Sequence, residues 1–165
     1  MKHHLVLALP FLGLFSCNQT VVQNRVLQNR VDSLETRIAQ TYKPGFGEFM
    51  SGVQAHHSKL WFAGLNENWK LADFEIQEIK ETLEDLQKFD TNRKEIKLLG
   101  MIYPAMDSVN RAIERKDPVL FKRSFMLLTK TCNDCHSAAG FEFNVIKIPE
   151  ASPFSNQDFR SGATK

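Results

Sequence analysis

Charge of one sign is not concentrated anywhere in this sequence, and this absence excludes one broad class of partner. The 165 residues include 21 Lys and Arg against 19 Asp and Glu, with neither a basic stripe nor an acidic tail. Proteins that bind nucleic acid need clustered Lys and Arg to neutralise phosphates. We therefore expect no nucleic-acid partner. The length suits one domain with a single hydrophobic core and short flanking segments.

Near its start, the sequence also lacks an apolar run long enough to span a bilayer. The run from Leu5 to Phe15 is short, follows the positively charged Lys2 and precedes the small Ser16. This arrangement is typical of an export signal. The residues LFSC at its end resemble the lipobox of bacterial lipoproteins, in which the cysteine becomes the lipidated first residue. We expect a signal peptide at residues 1–16 and lipidation at Cys17, with an ordinary signal cut nearby as the alternative.

Cysteine is scarce, and the chain has three. If Cys17 carries a lipid, Cys132 and Cys135 remain in an exported protein, where free thiols rarely persist. These two cysteines must pair with each other, bind a metal or be consumed in a covalent attachment.

Residues 17–43 are predicted to form a lipid anchor and a helical stalk. Apolar residues recur there at steps of four, three and four, which is a heptad pattern: Leu27, Val31, Leu34 and Ile38. Asn24 extends the pattern one step back, where a polar residue often fixes register and oligomer state. Two interpretations stay open. Residues 20–41 form a homo-oligomerising stalk of about 30 Å, or they form a loose tether or an extra helix laid on the domain.

Residues 44–140 show no strand pattern, and their apolar residues recur at helical steps of three and four. The first helix is expected from about Phe46 to Ala63, ended by Gly64. Its inner face carries Met50 and His57.

Three further helices are predicted in the same region. The second opens after Asn66, and the third begins at about Asn92 with Pro104 expected to kink it. The fourth has Asp117 as its N-cap and Pro118 at its first helical position. Four helices of roughly twenty residues with short connections predict an antiparallel four-helix bundle.

The predicted fold class is therefore all-α. A four-helix bundle at residues 44–140 is preceded by a short coiled-coil-like helix and followed by an irregular C-terminal tail at residues 141–165. The Phe, Val and Ile content of the tail indicates that its first half packs on the bundle.

The most specific feature is the motif CNDCH, from Cys132 to His136. Residues three apart share a helix face, so both thiols can add to the two vinyl groups of one haem. The adjacent imidazole is then delivered to the iron as its proximal ligand. A c-type haem is made outside the cytoplasm, which agrees with the export signal. The motif predicts one covalently bound haem c held by Cys132, Cys135 and His136.

Two other interpretations of the cysteine pair are weaker. A structural zinc site needs four ligands, so His56 or His57 would have to join the motif. A redox-active dithiol needs its C-x-x-C at the start of a helix, where the helix dipole lowers the thiol pKa. Here the pair closes a helix.

An exported four-helix bundle with C-x-x-C-H late in its last helix resembles the cytochrome c prime class, including its low-spin, methionine-ligated relatives. The resemblance covers about residues 45–140 and rests on helix order and motif placement. The stretches HSKLWFAG, NWKLADFE and AGFEFNVIKIP also look like a group of bacterial secreted proteins with a similar haem motif. The stalk and the tail depart from simple cytochromes c prime, so the resemblance does not imply a soluble shuttle.

Two residues are candidates for the sixth iron ligand. In an up-down bundle the end of helix four lies beside the start of helix one, so an inward thioether at Met50 suits the iron. In the resembling low-spin relatives, a methionine early in the first helix plays this part. His57 lies about 10 Å further along the helix and is the alternative, whereas His56 is expected in solvent. An empty sixth position is the remaining possibility.

We therefore expect a periplasm-exposed monohaem cytochrome that carries single electrons. No second acid, base or nucleophile constellation accompanies the motif, so no enzyme is predicted. One alternative is a five-coordinate haem protein that binds or senses nitric oxide or carbon monoxide. Another is a structural lipoprotein whose cysteine pair is a disulfide or zinc clip. A redox partner protein is implied, and the lipid at Cys17 would supply the membrane anchor. Asn18 favours the outer membrane over the inner one by analogy with enteric bacteria.

Overall fold

The computed structural model describes residues 18–41, 44–89, 92–152, 154–160 and 162. The chain divides into two compact units between Lys43 and Pro44. The predicted signal peptide at residues 1–16 and the predicted lipid site at Cys17 lie outside the described residues. Of the helices in the described ranges, none has the length and apolar character that a membrane span requires.

All regular structure in the described residues is helical, which confirms the all-α prediction. The elements in chain order are α1 (Asn18–Ala39), α2 (Phe46–Leu65), α3 (Trp69–Phe89), a 3-10 helix (Lys94–Met101), α4 (Tyr103–Glu114) and α5 (Pro118–Ala139).

Helix α1 belongs to the first unit. Every side chain described in it, from Val22 onward, is exposed. The four apolar residues at heptad spacing are between 45% and 64% exposed: Leu27, Val31, Leu34 and Ile38. In the single chain, the apolar seam of α1 therefore faces solvent.

The other helices form the second unit and bury the faces that the periodicity predicted. α2 packs along α3, and α4 packs along α5, while α3 also contacts α4 and α2 also contacts α5. Burial of these apolar side chains is the main favourable term in folding. The largest fully buried apolar side chains are Leu60, Ile76, Ile79, Leu83, Leu86, Met106, Val109, Phe121, Phe125 and Leu128.

The prediction that Gly64 ends the first helix was wrong. Gly64 lies inside α2, which continues to Leu65. A Cβ atom at Gly64 would overlap the aromatic ring of Phe121 on α5. Glycine is required here by a close approach of two helices, not by a turn.

The predicted third helix is divided, so the expected kink at Pro104 is also wrong. A 3-10 helix covers Lys94–Met101, and α4 starts at Tyr103 with Pro104 in its first turn. A proline has no N–H to donate, which is tolerated in a first turn and not in a helix interior. Pro104 therefore starts a new, shorter helix.

Helix α5 has the termini that the sequence predicts. The Asp117 carboxylate accepts hydrogen bonds from the backbone N–H groups of Val119 and Leu120, at 3.0 and 2.9 Å, and Pro118 is the first helical residue. The helix ends at Gly140, which has a positive φ of 82° that favours glycine. The motif Cys132 to His136 occupies the last turns before this stop.

The segment after α5 packs on the helices of the second unit, but part of its first half is exposed. Phe143 and Val145 in its first half are 79% and 69% exposed. Phe159, in the second half, is the most deeply buried apolar residue among those of the segment that the structure describes. Its ring centroid lies 5.6 Å from that of Phe62. The apolar content of a segment did not by itself show which of its side chains would be covered.

Candidate functional site

A cavity of about 180 Å³, partly open to solvent, is lined by α2, the end of α5, the segment that follows α5, and residues of α3 and the 3-10 helix. Its wall includes Cys132, Cys135 and His136 from the motif and Met50 and His57 from α2. The structure thus brings all the cofactor-binding and ligand residues predicted from the sequence to one place.

The rest of the cavity wall is mainly apolar. It includes Phe46, Val53, Leu83, Leu99, Phe141 and Ile146. Its polar residues are Ser51, Gln54, Asn144 and Glu95, and the carboxylate of Glu95 on the 3-10 helix is 8% exposed. Nothing in the sequence distinguished Glu95 from the many charged residues that are in solvent, so the sequence analysis missed it.

Both cysteines of the motif are free thiols that face this cavity. Burial, and secondarily the neighbouring Cys135, raises the pKa of Cys132 to about 12. Burial also raises the pKa of Cys135. A redox-active dithiol needs a thiolate with a lowered pKa, so the environment of this pair disfavours the dithiol interpretation.

The imidazole of His136 is held by one short hydrogen bond. Its Nδ1–H donates to the backbone carbonyl of Asn144 at 2.6 Å. With the proton on Nδ1, the lone pair is on Nε2, which is the arrangement found in histidines that ligate metals. This hydrogen bond therefore leaves the Nε2 lone pair of His136 available to a metal.

Residues 141–148, called the strap below, supply that carbonyl. The backbone N–H of Phe141 donates to the carbonyl of His136, and the backbone N–H of Asn144 donates to the carbonyl of Phe141. Asn133, inside the motif, makes two hydrogen bonds of 2.8 Å to the backbone of Ile146. The sequence analysis identified neither the strap nor Asn133 as part of the site.

Met50 lies in the first half of α2, is half-buried and lines the cavity with the motif. A thioether is a soft ligand with no proton to lose, so its only requirement is access to the metal. Met50 therefore has the inward position near the start of this helix that the sequence prediction requires.

His57 is 3% exposed and has a different hydrogen bond. Its Nε2–H donates to Thr129 Oγ1 at 2.9 Å, because the Thr129 hydroxyl itself donates to the carbonyl of Phe125 at 3.0 Å. Burial lowers the pKa of His57 to about 4, so the ring is neutral near pH 7. Only Nδ1 keeps a lone pair, which makes His57 a less accessible iron ligand than Met50.

The prediction that His56 lies in solvent was wrong. Its side chain is 20% exposed, and its Nδ1–H donates to Glu75 at 2.7 Å. Glu75 on α3 is 1% exposed, and a buried carboxylate needs a hydrogen-bonding partner. His56 meets this need at the contact between α2 and α3, and it does not line the cavity.

The arrangement of the side chains disfavours the zinc interpretation. In the part of the chain that the structure describes, no three His, Cys, Asp or Glu side chains converge as a metal site. The two candidate donors are engaged elsewhere, His56 with Glu75 and His57 with Thr129.

The donor set fits a covalently attached haem. Two thiols one helical turn apart and an imidazole with a free Nε2 face one apolar cavity, and a thioether lies in the same wall.

Comparisons of this chain with protein-family models, curated proteins and solved structures gave no match.

Proposed function

We propose that the protein is a monohaem c-type cytochrome that carries single electrons. The observation that carries this proposal is the state of His136. Its Nδ1–H is bonded to the Asn144 carbonyl, so Nε2 is free beside the cavity that Cys132 and Cys135 also line. A haem bound there would supply an iron that gains and loses one electron.

The chain's own residues have distinct parts in this proposal. Cys132 and Cys135 would hold the haem through two thioether bonds, and the His136 imidazole and the Met50 thioether would bind its iron. A His–Met pair raises the reduction potential relative to two histidines. The apolar part of the wall lowers the polarity around the centre, which favours its form with the lower net charge.

The proposal includes a fold and a location. The α-helices of the second unit pack in chain order, α2 on α3, α3 on α4 and α4 on α5, and α2 also contacts α5. These contacts support an antiparallel four-helix bundle like that of the cytochromes c prime. The predicted export signal and lipidation at Cys17 would anchor the protein at a membrane, facing the periplasm. The lack of a second acid, base or nucleophile constellation in the sequence supports a carrier that delivers electrons to a partner protein, not an enzyme.

An absorption spectrum tests this function against its two alternatives. The protein should be expressed as an exported full-length chain together with c-type haem maturation machinery. A low-spin spectrum that changes on reduction is expected for the electron carrier. A high-spin spectrum that shifts with carbon monoxide would indicate a gas-binding haem protein, and the absence of a haem spectrum would indicate a structural clip.

A further inference from the structure

We infer that Asn133, one of the two variable residues of the C-x-x-C-H motif, positions the His136 imidazole through the strap. This inference rests on the proposed function for its consequence in the haem protein, but its structural part can be tested without haem.

The two side-chain bonds of Asn133 act as a latch on the strap. Its Nδ2–H donates to the carbonyl of Ile146 at 2.8 Å, and its Oδ1 accepts from the N–H of the same residue at 2.8 Å. An amide side chain offers one donor and one acceptor side by side, so it pairs with a backbone residue as a neighbouring strand would. Both contacts are half-buried, where water competes less with them.

The latch lies close to the hydrogen bond between His136 and the Asn144 carbonyl. Asn144, whose carbonyl accepts from His136, is two residues before Ile146. The strap is otherwise held near the motif by bonds within one turn, from Phe141 to His136 and from Asn144 to Phe141. Asn133 therefore provides the long-range attachment that keeps the Asn144 carbonyl in front of the imidazole.

Asp134, the other variable residue of the motif, has no such part. Its carboxylate is exposed and pairs with Lys130 one turn earlier on α5. The two residues share the same short sequence between the cysteines, which makes Asp134 a matched control for Asn133.

Hydrogen exchange of the full chain tests the latch. In Asn133→Ala, the backbone amide of Ile146 should exchange about tenfold faster or more, because its acceptor is lost. Asp134→Ala should leave that amide unchanged, and slow exchange in α3 should show that both variants are folded. Unchanged exchange at Ile146 in a folded Asn133→Ala protein would overturn the latch.

Two spectroscopic measurements test its effect on His136. In nitrogen-15 spectra of the histidines without haem, His136 should be in the Nδ1–H form in the parent and should move toward a mixture of tautomers in Asn133→Ala. In haem-loaded protein, the same variant should have a higher reduction potential, since a weaker bond from Nδ1–H makes the imidazole a poorer electron donor. A parent-like His136 spectrum in a variant with a released strap would overturn the positioning role, whereas failure to attach haem would count only against the proposed function.

A second inference comes independently from α1: we infer that its apolar seam is covered by α1 of a second copy, in parallel and in register. The seam has β-branched residues at the a positions, Val31 and Ile38, and leucines at the d positions, Leu27 and Leu34. That distribution favours two parallel strands. All four side chains are at least 45% exposed in the single chain.

Charge complementarity decides the orientation. With Val31 and Ile38 at a positions, Arg30 is at a g position and Glu35 is at the e position of the next heptad. In a parallel dimer, Arg30 of one copy therefore faces Glu35 of the other. Neither side chain has an ionic partner in the described chain. An antiparallel pair would instead place the g residues Arg30 and Arg37 beside those of the other copy, and would set Asn24 opposite a d position.

A charge exchange tests this dimer in the full chain, purified in detergent and measured by analytical ultracentrifugation. Arg30→Glu should weaken dimerisation about tenfold, because the pair occurs twice per dimer. The double variant Arg30→Glu, Glu35→Arg should restore it, and Arg25→Glu, an equal charge change off the seam, should have little effect. A parent protein that stays monomeric would overturn the inference.

Cysteine cross-linking tests the direction of the strands. Asn24→Cys should form a covalent dimer under mild oxidation, because equivalent a residues face each other in a parallel pair. A dimeric protein in which this variant does not cross-link would be antiparallel, which would also overturn the inference.

Discussion

His57 is the residue whose burial has the clearest consequence for stability. Its pKa is about 4 in the folded protein against 6.5 in the unfolded chain. Because the folded pKa is lowered, the unfolded state binds the proton first as pH falls. The stability present above about pH 6.5 is therefore lost between pH 6.5 and pH 4, by about 3 kcal/mol.

Replacing His57 by Gln should reduce this pH dependence, because the titrating group is removed. The measurement is the free energy of unfolding in urea at pH 7 and pH 4.5, on parent and variant without haem. The two proteins differ at position 57 alone, so the difference in their pH dependence isolates His57. Equal losses of stability in the two proteins would show that His57 is not held neutral.

Met50 is the residue that decides the electronic state of the proposed centre. Replacement by Ala removes the thioether and leaves the sixth position open, so a low-spin spectrum should become high-spin. Met126→Ala is the matched control, since Met126 is 59% exposed on α5 and does not line the cavity. If Met50→Ala stays low-spin, another residue is the ligand, and His57 through its Nδ1 is the next to test.

At the scale of the helices, the contact between α2 and α5 depends on the absence of a side chain at Gly64. Gly64→Ala should destabilise the protein by about 1–3 kcal/mol or more, because the added methyl group overlaps the ring of Phe121 in a close-packed core. Gly47→Ala, in the same helix with open space around it, should be neutral or slightly stabilising. Thermal unfolding of both variants measures the difference, and similar effects at the two positions would contradict the close packing.

The helices show which features a sequence can predict. Steps of three and four located the buried faces of α2, α3 and α5, because each face is encoded within its own segment. The N-cap at Asp117 and the motif at Cys132 to His136 are equally local. The periodic pattern continued through Pro104, however, and so it did not reveal that the chain starts a new helix there.

Features that depend on distant residues were not predictable in the same way. The requirement for Gly64 comes from Phe121, and the burial of His56 comes from Glu75. The His136 bond depends on a chain reversal after α5 that has no periodic signal. The sequence therefore predicted the motif and the two side chains of α2 that line the same cavity. It predicted neither the strap and Asn133 nor the orientation of His136.

At the scale of the whole molecule, the two units have separate parts in the proposal. The unit of residues 1–43 contains the exposed seam of α1, and the unit from residue 44 onward contains the cavity with the motif. The proposal assigns anchoring and dimerisation to the first unit, and electron transfer to the second. An experiment can contradict the role proposed for one unit and leave the role proposed for the other intact.

The intact mass of the exported protein, made together with haem maturation machinery, tests the central claim most directly. The account predicts that the mass increases by one haem that survives denaturation, and that replacing both Cys132 and Cys135 by Ala abolishes the increase. A parent protein that is exported and folded but has the mass of the polypeptide and its lipid alone would contradict the account.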